Sequence, residues 1–304
     1  MSGEASGQAQ AGQAQAVPAE GLPDEAMRRQ LRELAVELAI EAGRFVRDER
    51  PVHVDVRKTK ASKLDVVTVM DTRCEEMLRA SIAAERPGDA VLGEEEGLSE
   101  GSTGLTWVLD PIDGTVNYLY DIPAYAVSVA VVVGDPTVPG AWVPVAGAVF
   151  NPGVDEIFDA HLGGGARLGA AGESSFPRPR MLHTPEPESL ARALIGTGFS
   201  YDTERRGVQG QVVTALLPQI RDLRRMGAAS LDLCAVAAGR LNGYYERGLQ
   251  PWDMAAGLLI AEEAGAVVSG VDGPPSADMV VAGAPKVHAE LLAALLQALA
   301  DAEG

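Results

Sequence analysis

The first periodic stretch, MRRQLRELAVELAIEAGRFVRDE, places Leu31, Leu34, Ala35, Leu38 and Ala39 on one face and predicts an amphipathic helix. KTKASKLDVVTVMD reads as an extended hairpin, with a helix over Thr72–Ala84 after it. Short apolar runs follow in AVLGEEEG, TWVLDPIDG, AYAVSVAVVVGD and VAGAVFNPG, separated by turn residues, as neighbouring strands of one sheet would be. GGGARLGAAGESSFPRPR interrupts the pattern as a loop-rich segment and marks a domain boundary near residues 172–180. Beyond it, strands and helices alternate. ARALIGTGFSY, RDLRRMG, LNGYYERG and AVVSG read as strands. RGVQGQVVTALLPQI, AASLDLCAVAAGR, WDMAAGLLIAEEAG (opening on Asp253) and PKVHAELLAALLQALADA read as helices. That alternation argues for an α/β layer.

Composition narrows the function classes. The chain has 304 residues, enough for one large domain or two moderate ones. It carries 43 Asp and Glu against 25 Lys and Arg, a net charge of −18. Such a surface repels phosphate backbones and anionic membranes, which argues against direct nucleic-acid or membrane binding. An acidic protein acting on an anionic substrate would need cations at its site. Cys74 and Cys234 fall in predicted helices and read as buried free thiols. No apolar run is long and unbroken enough to span a membrane. Residues 1–24 lack the basic start and apolar core of a secretory signal and read as a disordered tail, so a cytoplasmic location is expected.

Candidate chemistry concentrates in WVLDPIDGTVNY, where a strand ends in Asp110 and Asp113. Pro111 cannot donate to a strand ladder, so the chain is expected to leave the sheet there. Two carboxylates flanking the Ile112 carbonyl form a hard-oxygen set suited to Mg2+. The same pattern also occurs as a plain surface turn. Gly114 permits close backbone approach, and a helix opening at Thr115 would offer N–H groups to a phosphate. GEEEG, Gly93 to Gly97, adds three acids that are either a solvated turn or further ligands. Asp253 is either a helix N-cap or another acid of the same site. His53, His161, His183 and His288 are isolated, and no paired-histidine zinc motif occurs. TERRG and RDLRR read as solvated basic faces.

With KLDVVTVMD (Lys63–Asp71), GEE (Gly93–Glu95), WVLDPIDGTVNY and WDMAAGLLIAEEAG (Trp252–Gly265) in this order, the sequence resembles the inositol monophosphatase family from about residue 28 onward. TGFSY and LDLCAVAAGRLNGYYE are most similar to its bacterial members. The resemblance implies a layered αβαβα sandwich of the inositol monophosphatase / fructose-1,6-bisphosphatase type. It pairs an α+β half over residues 25–175, carrying most metal ligands, with an α/β half over 176–304. It implies two or three Mg2+ ions, one on Glu94, Asp110 and the Ile112 carbonyl, another on Asp110, Asp113 and Asp253. Asp71 and Thr115 match an acid–hydroxyl pair beside the attacking water, with Glu94 a rival base and Glu95 in support. Gly114 and Thr115 would hold the phosphate, with Glu94, Ile112 and Asp253 bordering the substrate.

Asp113, the Gly227-Ala228-Ala229 backbone and Glu246 match contacts to the alcohol part, although Glu246 also reads as a strand-edge charge. Lys60 matches a lysine on a mobile hairpin near the metals, or is a solvated lysine. Gln250 stands where some members carry histidine, which leaves the leaving-group preference open. The implied activity is Mg2+-dependent hydrolysis of myo-inositol monophosphate by a lithium-sensitive homodimer. Rivals are histidinol-phosphate phosphatase, other phosphomonoester or bisphosphate phosphatases of the superfamily and, in a different class, a binding protein associated with the transcription machinery.

Overall fold

The computed structural model describes residues 21–51, 54, 56–59, 66–171 and 179–303. The expected tail through residue 20, His53, Lys60 and most of the expected boundary at 172–180 lie outside the described residues.

Helix α1 (Glu25–Asp48) is capped by Asp24, whose carboxylate accepts the Met27 N–H at 2.8 Å. Strands β1 (Val56–Thr59) and β2 (Val66–Thr68) pair antiparallel, as the hairpin reading expects. Helix α2 (Val69–Glu85) starts before the predicted Thr72, because Thr68 and Asp71 form a capping box. Then come β3 (Ala90–Gly93), β4 (Gly97–Leu98), β5 (Leu105–Asp113), the short helix α3 (Thr115–Leu119), β6 (Ala126–Gly134) and β7 (Trp142–Asn151). Strands β8 (Glu156–His161), β9 (Ala166–Ala170) and β10 (Arg180–Met181) complete an eight-stranded sheet of order β10-β9-β8-β7-β6-β5-β3-β4. Strand β9 corrects the loop reading of GGGARLGA: Ala166 and Leu168 turn into the core and the strand pairs with β8.

The second sheet has five strands: β11 (Leu194–Thr197), β12 (Asp222–Arg224), β13 (Gly243–Glu246), β14 (Val267–Ser269) and β15 (Val280–Gly283). Helices α4 (Thr203–Leu216), α5 (Ala229–Ala237), α6 (Pro251–Glu263) and α7 (Pro285–Glu303) are interleaved with them. Strands β12, β11 and β13 run parallel, and β15, absent from the sequence reading, joins antiparallel between β13 and β14.

The layers follow from the apolar faces. Leu31, Leu38 and Leu78 of α1 and α2 pack on Trp107, Val129 and Phe150 of the large sheet. On its other face, Leu259 and Ile260 of α6 meet Val108, Val132 and Phe158. Leu233 and Leu258 of α5 and α6 press on Tyr244 and Val280 of the small sheet, whose outer face is closed by Val212, Leu216, Leu291 and Leu295 of α4 and α7. This is the expected αβαβα sandwich. Helix α6 lies so close to β7 that a Cβ on Gly147 would stand 3.1 Å from the Ala256 Cα. Cys74 and Cys234 are buried and free. Among the described residues, no helix is long and apolar enough to cross a membrane.

Candidate active site

Strand β5 is buried along its whole length and carries Asp110 and Asp113 to the sheet end. It does not leave the sheet at Pro111. A register shift between Asp110 and Asp113 forms an irregularity, and pairing resumes at Asp113 opposite Ala126. Within it, Asp110 Oδ1 accepts the Ile112 N–H at 3.0 Å. Gly114, at φ 89°, turns the chain into α3, and a Cβ there would stand 2.9 Å from the Ala124 carbonyl oxygen. The Thr115 hydroxyl lies 3.0 Å from the Ile112 carbonyl oxygen and 3.2 Å from Asp71 Oδ1. Asp71 caps α2, its Oδ2 accepting the Thr68 N–H at 2.8 Å and hydroxyl at 2.5 Å. Burial pushes the Asp71 carboxyl up to about 6.

Asp113 ties the end of β5 to the start of α5. Its Oδ1 accepts the Ala229 N–H at 3.2 Å, and its Oδ2 accepts the N–H and hydroxyl of Ser230 at 2.7 and 2.5 Å. It thereby serves the start of α5, where the N-cap residue Ala228 provides no side-chain bond. Asp113→Asn would therefore disturb the start of α5 as well as the cavity. Asp253 is not the residue that opens α6. Gln250 is the N-cap, Pro251 the first helical residue, and Asp253 Oδ2 accepts the Gln250 N–H at 2.6 Å in a capping box. At the end of β13, the Tyr244 hydroxyl donates to Glu246 at 2.5 Å, and burial pushes Glu246 up to about 7. Gly198 has no side chain because the Glu246 carboxylate occupies that space.

These groups surround one cavity of about 660 Å3. Glu94, Asp110, Ile112, Asp113, Gly114 and Thr115 line it, together with Gly227, Ala229, Glu246 and Asp253. Gln250 also lines it, while Ala228, Asp71 and Glu95 stand outside its lining. Asp71 reaches it through Thr115.

Two basic residues correct the sequence reading. Arg205 of TERRG and Arg225 of RDLRR line the cavity, because α4 starts beside Gly248 and the turn at Gly227, φ 93°, folds under Arg225. Ser230 and Asn117 were missed as well. The Asn117 side-chain amide donates to the carbonyls of Ala124 and Met226 at 2.7 and 2.8 Å, joining α3 to the β12–α5 connection. Met226 lies 109 residues from Asn117 and Asp113 lies 117 from Ser230, too far for spacing to reveal.

Burial, then the charges of Glu94, Asp113 and Asp253, hold Asp110 well above the usual carboxylate range. Asp253 is raised in the same way, by burial and then by Glu94 and Asp113. Burial also raises Asp113, while its Ser230 and Ala229 donors and Arg225 oppose the rise. Neighbouring buried carboxylates that resist ionisation, with the Ile112 carbonyl among them, are a donor set that fits a hard divalent cation such as Mg2+. Among the described residues, no three Asp, Glu, His or Cys side chains meet as a finished metal cage. Asp113 and Asp253 are instead turned toward backbone N–H groups.

The inositol monophosphatase family model matches residues 27–301. The chain belongs to the inositol monophosphatase family. Inositol-1-monophosphatase SuhB of Mycobacterium tuberculosis is 44% identical over 283 residues, covering 88% of this chain and 93% of that protein. The solved structure of Mycobacterium tuberculosis SuhB matches with a TM-score of 0.74 at 45% identity, over 89% of this chain and 97% of that one. The inositol monophosphate-bound structure of SaIMPase-II matches with a TM-score of 0.70 at 26% identity, over 90% and 96%. Nus factor SuhB of Pasteurella multocida is 34% identical, over 88% of this chain and 96% of that protein.

Proposed function

We propose that this chain is a Mg2+-dependent phosphomonoesterase that hydrolyses myo-inositol monophosphate to inositol and phosphate. The observation that carries this reading is the placement of Glu94, Asp110, Asp113 and Asp253 around one cavity that also holds Glu246. A phosphate monoester bears about two negative charges near neutrality, so an acidic wall alone would repel it. Glu94, Asp110, Asp113, Asp253 and the Ile112 carbonyl would hold Mg2+, which supplies positive charge against the phosphoryl oxygens and the leaving alkoxide.

The chain's own groups do the rest. The N–H groups of Gly114 and Thr115 hold the phosphoryl group at the turn after β5. The Thr115 hydroxyl, between the Ile112 carbonyl and Asp71, orients the attacking water. As the new P–O bond forms and the ester P–O bond breaks in line, the water proton passes through Thr115 to Asp71. The departing oxygen takes a proton from solvent water in the open cavity and leaves as the inositol hydroxyl. Asp71 returns its proton to solvent, so that the sum is one water consumed per ester cleaved. Glu246 and Asp113 accept hydrogen bonds from inositol hydroxyls, and the Gly227-Ala228-Ala229 backbone borders the ring. The names of the Mycobacterium tuberculosis relative and of the inositol monophosphate-bound SaIMPase-II structure support this substrate.

The test is phosphate release from myo-inositol 1-phosphate and L-histidinol phosphate side by side with Mg2+. Preference for the inositol ester supports the reading. Preference for histidinol phosphate keeps the site and changes the substrate. No release from either ester overturns both assignments. A homodimer and inhibition by millimolar lithium belong to the same reading, checked by sedimentation and by rates in lithium chloride.

A second reading rests on the Nus factor name of the Pasteurella multocida relative: a binding role with the transcription machinery. Enrichment of RNA polymerase or its elongation factors in a salt-dependent pull-down would support it, and no enrichment would remove it.

A further inference from the structure

Glu75 is a buried acid that the mechanism above does not use. Its side chain is completely buried, directly beneath the acidic GEEEG turn, where simple electrostatics would disfavour another carboxylate. Its Oε2 accepts the Glu95 N–H at 2.8 Å, and its Oε1 accepts the Glu96 N–H at 3.0 Å. Two successive backbone N–H groups thus form a small anion-binding nest, filled from within the protein. Arg79, one turn further along α2, donates from Nε to Glu75 Oε1 at 2.9 Å and from Nη2 to the Gly97 carbonyl at 2.5 Å. The turn is therefore gripped by its N–H groups at one end and by a carbonyl at the other. Gly93 leaves room for this: a Cβ there would land on the Glu75 carboxylate. Asp71, Glu75 and Arg79 follow one another at four-residue spacing on α2, so one helix face serves both Thr115 and the glutamate turn.

We propose that Glu75 is a positioning residue: by fixing the backbone of Glu95 and Glu96, it sets where the preceding Glu94 carboxylate stands in the cavity. An apolar side chain could fill the same space, but it would leave two N–H groups without an acceptor and the turn free to tilt. The inference rests on the proposed role of Glu94 as a metal ligand. It predicts that Glu75 governs metal affinity and leaves substrate affinity alone.

The experiment compares the wild type with Glu75→Gln, which keeps the volume but opposes an amide N–H to one of the two backbone donors. Mn2+ binding to the metal-stripped full chain is titrated by electron paramagnetic resonance, and thermal unfolding is followed in EDTA. The expected result is Mn2+ affinity weaker by about tenfold or more. The half-saturating Mg2+ for phosphate release should rise in parallel, while the KM for the ester at saturating Mg2+ stays unchanged. A folded Glu75→Gln protein with wild-type Mn2+ affinity overturns the proposal, even where its unfolding temperature has dropped. Should that variant not fold, Arg79→Gln, which frees the Gly97 carbonyl, supplies the same readout with the same expected direction. Wild type that binds no Mn2+ overturns the parent reading as well, which separates the two failures.

Discussion

Glu246→Gln isolates recognition of the alcohol from the chemistry at phosphorus. Glu246 shares the cavity with Asp110 but makes its protein contact to the Tyr244 hydroxyl, at 2.5 Å. Glutamine has the same length and can still offer an oxygen to Tyr244, so the fold should be retained. What is lost is a charged acceptor for a polyol hydroxyl. A hydrogen bond to a charged group contributes about 1.5–3 kcal/mol, and about 1.4 kcal/mol corresponds to tenfold. The kcat/KM for myo-inositol 1-phosphate should therefore fall by about ten- to a hundredfold. p-Nitrophenyl phosphate has no hydroxyl to place there and should lose less than about threefold. Initial rates of both esters at saturating Mg2+, at a pH above about 7 where Glu246 is ionised, decide the matter. Equal losses on the two esters, or no loss on the inositol ester, would refute the reasoning.

The same variant carries a pH signature. Burial raises the folded Glu246 pKa from 4.5 to about 7, so the folded chain keeps a proton that the unfolded chain has released. Its contribution to stability is fully present below the unfolded value and is lost as pH rises through the folded one. In EDTA, urea unfolding should show a decline across that window that Glu246→Gln lacks.

Three further outcomes follow from the geometry. Asp89 accepts the buried Trp107 indole N–H at 2.9 Å and the Arg86 Nε at 2.8 Å, so Asp89→Ala should cost about 2–4 kcal/mol in urea unfolding; a change within about 0.5 kcal/mol would contradict this. Burial pushes the Asp89 carboxyl up, but its Arg86, Thr103 and Trp107 donors outweigh that and hold it below the usual range. The stability it confers is present above the unfolded pKa and lost as pH falls through the folded one. Gly198→Ala puts a methyl where the Glu246 carboxylate lies and should raise KM for the inositol ester more than for p-nitrophenyl phosphate; equal KM changes would count against it. EDTA should abolish phosphate release, and Mg2+ added back should raise the unfolding temperature by relieving repulsion among Glu94, Asp110 and Asp253; an unmoved melting curve would remove the cation from the site.

The sequence by itself was enough for the parts of the site that sit next to one another in the chain. Asp110, Ile112, Asp113, Gly114 and Thr115 are successive positions of one strand end and turn, so their chemistry shows in a dozen residues. Most helices were equally legible, because periodicity reports neighbours within one helical turn. Tertiary structure decided what depends on distant partners. Asp253 moved from helix start to third residue because Gln250 and Pro251 begin α6. Asp113 acquired Ser230, 117 residues away, and Glu75 acquired Glu95, 20 residues away. Arg205 and Arg225 left apparent surface clusters for the cavity wall only when the β11–α4 and β12–α5 connections folded against β5 and β13. Hydrophobic patterning says which face of an element is buried, but not what stands opposite it. The layer packing determined which acids, amides and guanidiniums face the cavity.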